Sequence, residues 1–172
     1  QRRARRVVMA SLTGASRGAA GAIRQGLFRN PLADPGLIGI SARAGLAAAC
    51  VIVLGGTGGL PFLSSVWAVP AAGVAGSFGA TLTLYLFATR AGVTSITRVL
   101  LAGGAFGACA AALTGILGFR ANDTALRDLT FWTMGSCAGA TWPRISILFP
   151  FLAAATVGAV WLAGPLNAML LG

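Results

Sequence analysis

Histidine, lysine and glutamate are missing from the 172 residues, and Asp34, Asp123 and Asp128 are the only acids. With no imidazole and three scattered carboxylates, the usual material for a metal cage or an acid–base pair is lacking. Neither a metal site nor a catalytic residue is therefore expected, nor a cofactor bound by this chain. Cys50, Cys109 and Cys137 stand far apart among apolar and small residues. They show no CxxC spacing and no disulfide framework, and they read as packing residues. Charge is scarce too, at 9% of residues against 56% apolar, with 25 glycines. That composition excludes an ordinary soluble domain and defines an integral membrane protein.

All thirteen basic residues are arginine, giving a net charge of +10. They are scattered between apolar runs and do not form one basic face with interleaved aromatics, so no nucleic-acid partner is expected. Asp123 and Asp128, five residues apart in a polar stretch, are expected to face solvent and pair with Arg120 or Arg127. A membrane enzyme would need paired carboxylates, or a nucleophile with its base, at lipid depth.

Five apolar segments are long enough to be read as spans, near residues 7–28, 37–54, 66–88, 99–119 and 145–162. The fold class expected is an all-α polytopic helix bundle. Gly14 and Gly18 give the first segment a small-xxx-small pair suited to close helix packing. Arg6, Arg17 and Arg24 fall within about 20° of one helical stripe. Arg17 then faces a bundle interior or a water-filled cavity, or these arginines are drift in a damaged copy. Arg43, near the start of the second segment, can snorkel to an interface. Trp67 and Tyr85 suit the two membrane interfaces of the third. Residues 129–142 (LTFWTMGSCAGATW) are too short and polar to span and read as an interfacial or re-entrant helix carrying Trp132, Gly135, Ser136 and Trp142. Pro150 is a candidate kink in the last segment, and Gly164-Pro165 is expected to break it. Arginines on the two sides do not orient the bundle by the positive-inside rule.

The first two segments are separated by Gln25 to Gly45, where Asn30-Pro31 and Asp34-Pro35 stop any helix running through. Arg29-Asn30-Pro31-Leu-Ala-Asp34-Pro35 resembles the signature turn of the FecCD family, the permease subunits of type II ABC importers for iron-siderophores, haem and vitamin B12. Further matches follow in order. Arg3-x-x-Arg6 is similar to the motif opening the family's second transmembrane helix, and Gly14, Gly21 and Gln25 match its small-residue and glutamine positions. Arg98-Val-Leu-Leu-Ala-Gly103 is similar to the start of the fifth helix. Arg127 to Ser136, with Gly139 to Trp142, resembles the segment before the sixth in the version of the haem permeases. Leu166 to Gly172 resembles the lead into the cytoplasmic coupling helices.

The resemblance implies a permease of ten spans in a bacterial inner membrane, of which this chain supplies the second to sixth; it is expected to be a piece of that longer protein. It implies a second permease copy, two cytoplasmic ATP-binding subunits that hold the ATP, and a periplasmic substrate-binding protein. The substrate implied is haem or another iron chelate, with vitamin B12 or a siderophore as the alternatives and an inactive fragment or channel as a further reading. Arg3 and Arg6 are implied as docking residues for the binding protein, and Ser41, Thr94, Ser95 and Thr97 as part of the translocation path near the inner gate. Ala4-Arg5 in place of Leu-Pro, and arginine at positions 17, 24 and 43, depart from the family pattern.

Overall fold

The computed structural model describes residues 2–28, 39–56, 65, 67–90 and 93–171. Among these it forms six helices, α1 (Arg2–Phe28), α2 (Ile40–Gly56), α3 (Ala68–Ala88), α4 (Ile96–Arg120), α5 (Asp123–Met134) and α6 (Trp142–Leu171). A two-stranded antiparallel hairpin, β1 (Thr89–Arg90) and β2 (Val93–Thr94), sits between α3 and α4. The chain divides into two compact units, residues 1–33 with 136–172, and residues 34–135.

In the second unit α2 packs on α3, α4 and α5. What is buried is small: Ala48, Ala49 and Val53 of α2, Ala68, Ala80, Leu84 and Ala88 of α3, Ala110 of α4, and Ala125 and Leu129 of α5. The bulky side chains point the other way, with Phe78 72%, Leu101 71% and Phe119 92% exposed. A water-soluble bundle could not leave so much aromatic and aliphatic surface uncovered, whereas lipid tails accept it and leave helix association to close packing of small residues. Polar residues within the helices are satisfied locally. Ser77, Thr81 and Thr114 donate to carbonyls three or four residues back at 2.8–2.9 Å, and Thr83 does the same to Gly79.

Of the five spans expected, α3, α4 and residues 142–161 of α6 are long and apolar enough to cross a membrane among the described residues. The 17 residues of α2 reach only about 25 Å, short of a hydrocarbon core of ~30 Å. The 27 residues of α1 are long enough, but Arg17 and Arg24 lower its hydropathy.

The interfacial helix expected over 129–142 is displaced. α5 starts at Asp123, because Asn122 Oδ1 accepts from Ala125 N–H at 2.8 Å and caps it. It stops at Gly135, whose φ of 69° and ψ of 148° lie where only glycine is comfortable. The polar stretch holding Asp123 and Asp128 is thus the first half of a helix. Its Ala125 and Leu129, four apart, face inward, and the Leu126 and Leu129 methyls come against Gly118 of α4. Asp123 and Asp128 are exposed, as expected, but among the described residues neither forms an ion pair with Arg120 or Arg127.

In the first unit α1 lies against α6. α6 runs on through Gly164 and Pro165, where a break was expected. In lipid, leaving the helix would strand backbone groups that water cannot reach, so helical geometry survives the proline. A Cβ placed on Gly14, Gly18 or Gly21 would meet nothing within 4 Å, so the close packing expected of that glycine face is not made by the described residues of this chain.

Candidate functional site

The densest positive charge of the first unit gathers where α1 and α6 begin. Arg5 and Arg6 line a recess of about 330 Å³ whose other wall is the backbone of Ala138, Gly139, Ala140 and Thr141. That wall is folded by its own hydrogen bonds: Ala138 N–H donates to Ser136 Oγ at 3.0 Å and Ala140 N–H to the Cys137 carbonyl at 3.2 Å. Arg144 Nη1 reaches back to the Gly139 carbonyl at 2.9 Å and so braces that wall. Arg3 and Arg6 are both exposed, and Arg5, between them in sequence, is half-buried. Arg17 is exposed, so the described residues of this chain do not build the interior or cavity expected around it. Arg24 is half-buried, its Nε donating to the Ala20 carbonyl at 3.0 Å.

The signature residues Arg29, Asn30, Pro31, Asp34 and Pro35 lie outside the described residues. Beyond them, Gly39 has φ 68° and backbone against α4: a Cβ there would lie 2.4 Å from the Gly103 carbonyl oxygen and 2.9 Å from Gly107 Cα. The entry to α2 is therefore seated on α4, glycine against glycine.

Ser41 is exposed in the first turn of α2, and Thr97 in that of α4. Thr94 lies in β2, its hydroxyl 2.8 Å from that of its cross-strand partner Thr89. Ser95 is half-buried before α4, its N–H donating to the Ala88 carbonyl at 3.2 Å. These three sit together at the hairpin, while no hydrogen bond joins Ser41 to them among the described residues.

Trp132, Gly135, Ser136 and Trp142 do not share a helix. Trp132 is on α5, Gly135 ends it, Ser136 begins the connection, and Trp142 opens α6. The first two belong to one compact unit and the last two to the other.

Sequence reasoning missed the role of Arg43. It does not snorkel: Nη1 donates to the Ala80 carbonyl of α3 at 2.8 Å, and the guanidinium lies over the Phe106 ring of α4, 4.2 Å from its centroid. Phe106 in turn meets Phe87 of α3 edge-on at 5.2 Å. Ala80 is eight residues from the end of α3, about 12 Å along its axis, so this guanidinium is held at membrane depth by a carbonyl and a ring.

An all-α bundle with an alanine core, aromatic surface and arginines at its helix ends defines a polytopic membrane protein. Its family is shown by comparison with known proteins. The model of the FecCD transport family matches residues 1–172. The chain is 35% identical over 167 residues to the hemin transport system permease protein HmuU of Yersinia pestis, covering 97% of this chain and 49% of that protein. It is 38% identical over 174 residues to the vitamin B12 import system permease protein BtuC of Salmonella arizonae, covering 97% and 48%. A solved inward-facing structure of an ABC transporter assigned to the metal-chelate type superposes with a TM-score of 0.86 at 25% identity, over all of this chain and 53% of that one. The chain belongs to the FecCD transport family, and it spans about half the length of the curated relatives it matches.

Proposed function

We propose that this chain is part of the transmembrane subunit of an ATP-driven importer that moves haem or another iron chelate across the bacterial inner membrane by alternating access. The observation that carries the reading is likeness to import permeases along 97% of the chain. Two permease copies enclose the path, two cytoplasmic subunits hydrolyse ATP, and a periplasmic binding protein delivers the substrate to Arg3 and Arg6. The permease itself performs no bond chemistry. Without histidine, the spans of this chain offer haem iron no imidazole, so along them haem would be handled by shape and by arginine attraction to its propionates. Ser41, Thr94, Ser95 and Thr97 fit a path that must not bind its cargo tightly, being small and hydroxylated.

Cobalamin is the alternative cargo, favoured by the 38% identity to a vitamin B12 permease. One experiment separates the two. The complete permease, reconstituted in vesicles with its ATPase and binding protein, is expected to take up haem in an ATP-dependent manner and to leave cobalamin outside. Cobalamin uptake in place of haem would reverse the choice of substrate, and ATP-independent leakage of both would replace the importer by a channel.

A further inference from the structure

Arg17 stands far inside α1, about 22 Å from the Arg2 end of the helix and about 17 Å from Phe28, too far for its side chain to reach past either end. Its depth follows from α6. Arg5 and Arg6 face residues 138–141, and Val8 and Leu12 lie beside Trp142, Ile145 and Phe149, so α1 and α6 start together and run the same way. Arg17, about 7.5 Å beyond Leu12, is therefore level with the middle of residues 142–161, the part of α6 apolar enough to cross a membrane. Other arginines within helices are engaged: Arg24 with the Ala20 carbonyl, Arg43 with the Ala80 carbonyl and the Phe106 ring. Arg17 is exposed and makes no hydrogen bond, ion pair or ring contact among the described residues. It also points away from α6, about 180° from Val8 and about 140° from Leu12 around the helix axis. Ala10, Gly14 and Gly21 share its side of α1, within about 60° of it. A Cβ on either glycine would meet nothing within 4 Å.

We propose that the face of α1 bearing Arg17 receives a helix from the remainder of the permease, and that this helix carries an aspartate or glutamate paired with Arg17. Three observations select this occupant. The curated relatives are about twice as long as this chain, which covers 49% of one and 48% of another, so a permease of this family has further helices to place. The charge asks for a carboxylate: ionised groups at membrane depth face the protein interior and pair there, and a guanidinium fork takes a carboxylate through two parallel bonds that also cancel the charge. Lipid would leave it unpaired at the costliest depth. Finally, Asp34, Asp123 and Asp128 are the only acids of the 172 residues, and none falls in a membrane-crossing segment, so the counter-charge comes from elsewhere. The small side chains around Arg17 let that helix approach closely enough for a short acidic side chain to reach it. The pairing rests on membership of the family and is independent of the cargo.

The test uses the complete permease in mild detergent. The 172 residues contain no lysine, so Arg17→Lys introduces a single amine into this stretch. Dicyclohexylcarbodiimide enters apolar interiors and condenses an amine with a touching carboxylate into an amide, with loss of water. It is expected to link position 17 to one Asp or Glu outside residues 1–172, identified by peptide mass spectrometry, in a protein that still runs as a monomer on SDS gels. Arg17→Met is expected to lower the ratio of folded to SDS-unfolded protein at least about tenfold, because it strands the carboxylate, and changing that carboxylate to its amide in the same protein should restore most of the loss. A link to Asp34, Asp123 or Asp128, a linked dimer, no link in a folded Arg17→Lys protein, or an Arg17→Met protein as stable as the unsubstituted one would each overturn the proposal. If Arg17→Lys does not fold, as judged by circular dichroism and elution volume, Arg17→Met decides. It is combined in turn with Asn or Gln at each membrane-embedded Asp or Glu of the remainder: rescue by one of them supports the pair, and rescue by none refutes it.

Discussion

The Arg43 guanidinium rests 4.2 Å from the centre of the Phe106 ring, joining α2 to α4, while one of its nitrogens joins α2 to the Ala80 carbonyl of α3. One side chain thus ties three helices together in a unit whose buried residues are mostly alanine. Arg43→Leu is expected to destabilise the bundle by about 1–3 kcal/mol, combining the lost charge-assisted hydrogen bond with the lost ring contact. In a double-mutant cycle with Phe106→Leu, the coupling should be about 0.5–2 kcal/mol. Thermal or SDS unfolding of the four proteins measures it. Strict additivity would show that the ring and the guanidinium are neighbours without being partners.

Gly39 should tolerate no side chain. Alanine at 39 combines a left-handed backbone with a Cβ 2.4 Å from the Gly103 oxygen. A loss on the order of 2 kcal/mol or more is expected, with the position of α2 on α4 disturbed. Gly14→Ala provides the control, since its Cβ meets nothing within 4 Å and helix propensity favours alanine. Comparable losses at both positions in the unfolding midpoint would mean that the close approach of α2 to α4 carries no special energy.

The Asn122 cap accounts for the existence of α5 over residues that are polar enough to be a loop. Asn122→Ala should cost about 1 kcal/mol and raise amide hydrogen exchange in the first turn, at Ala125 above all, whereas Asn122→Asp should restore both. Exchange at Ala125 that ignores the alanine substitution would remove the cap from the explanation.

Arg3 and Arg6 are exposed three residues apart on one helix start, about 60° from each other. Under the importer reading, the double substitution Arg3→Glu with Arg6→Glu weakens binding-protein docking at least tenfold and flattens its salt dependence, while membrane insertion is unchanged. Affinity measured across a salt series is the readout. An unchanged slope would assign these arginines to the membrane interface alone.

The helices were readable because apolar runs of spanning length are hard to disguise, and the order of the family motifs fixed their succession. α5 was not, because the polar Asp123, Thr124, Arg127 and Asp128 outweigh by count the two positions, Ala125 and Leu129, that it buries. The cap at Asn122 was the available signal, being an asparagine directly before an aspartate and a threonine. Arg43 was misread for a different reason. An arginine near a helix start has an interface within reach in any sequence, and only the tertiary arrangement reveals that Ala80 and Phe106 lie closer. Of the site residues, Arg3 and Arg6 lie exposed at the start of α1. The grouping of Trp132 with Trp142 failed at Gly135, a glycine whose backbone conformation no composition argument foresees.

The alanine core also fixes how this protein responds to temperature. A folded soluble protein hides its bulky hydrocarbons from water and releases a large heat capacity when they are uncovered. Here residues such as Phe119 and Trp161 are already turned outward, 92% and 84% exposed. Separating the helices within a bilayer would wet almost none of them. The heat-capacity increment of unfolding should therefore be small and the free-energy curve nearly straight in temperature, without the cold-side downturn that hydrophobic burial gives to proteins dissolved in water.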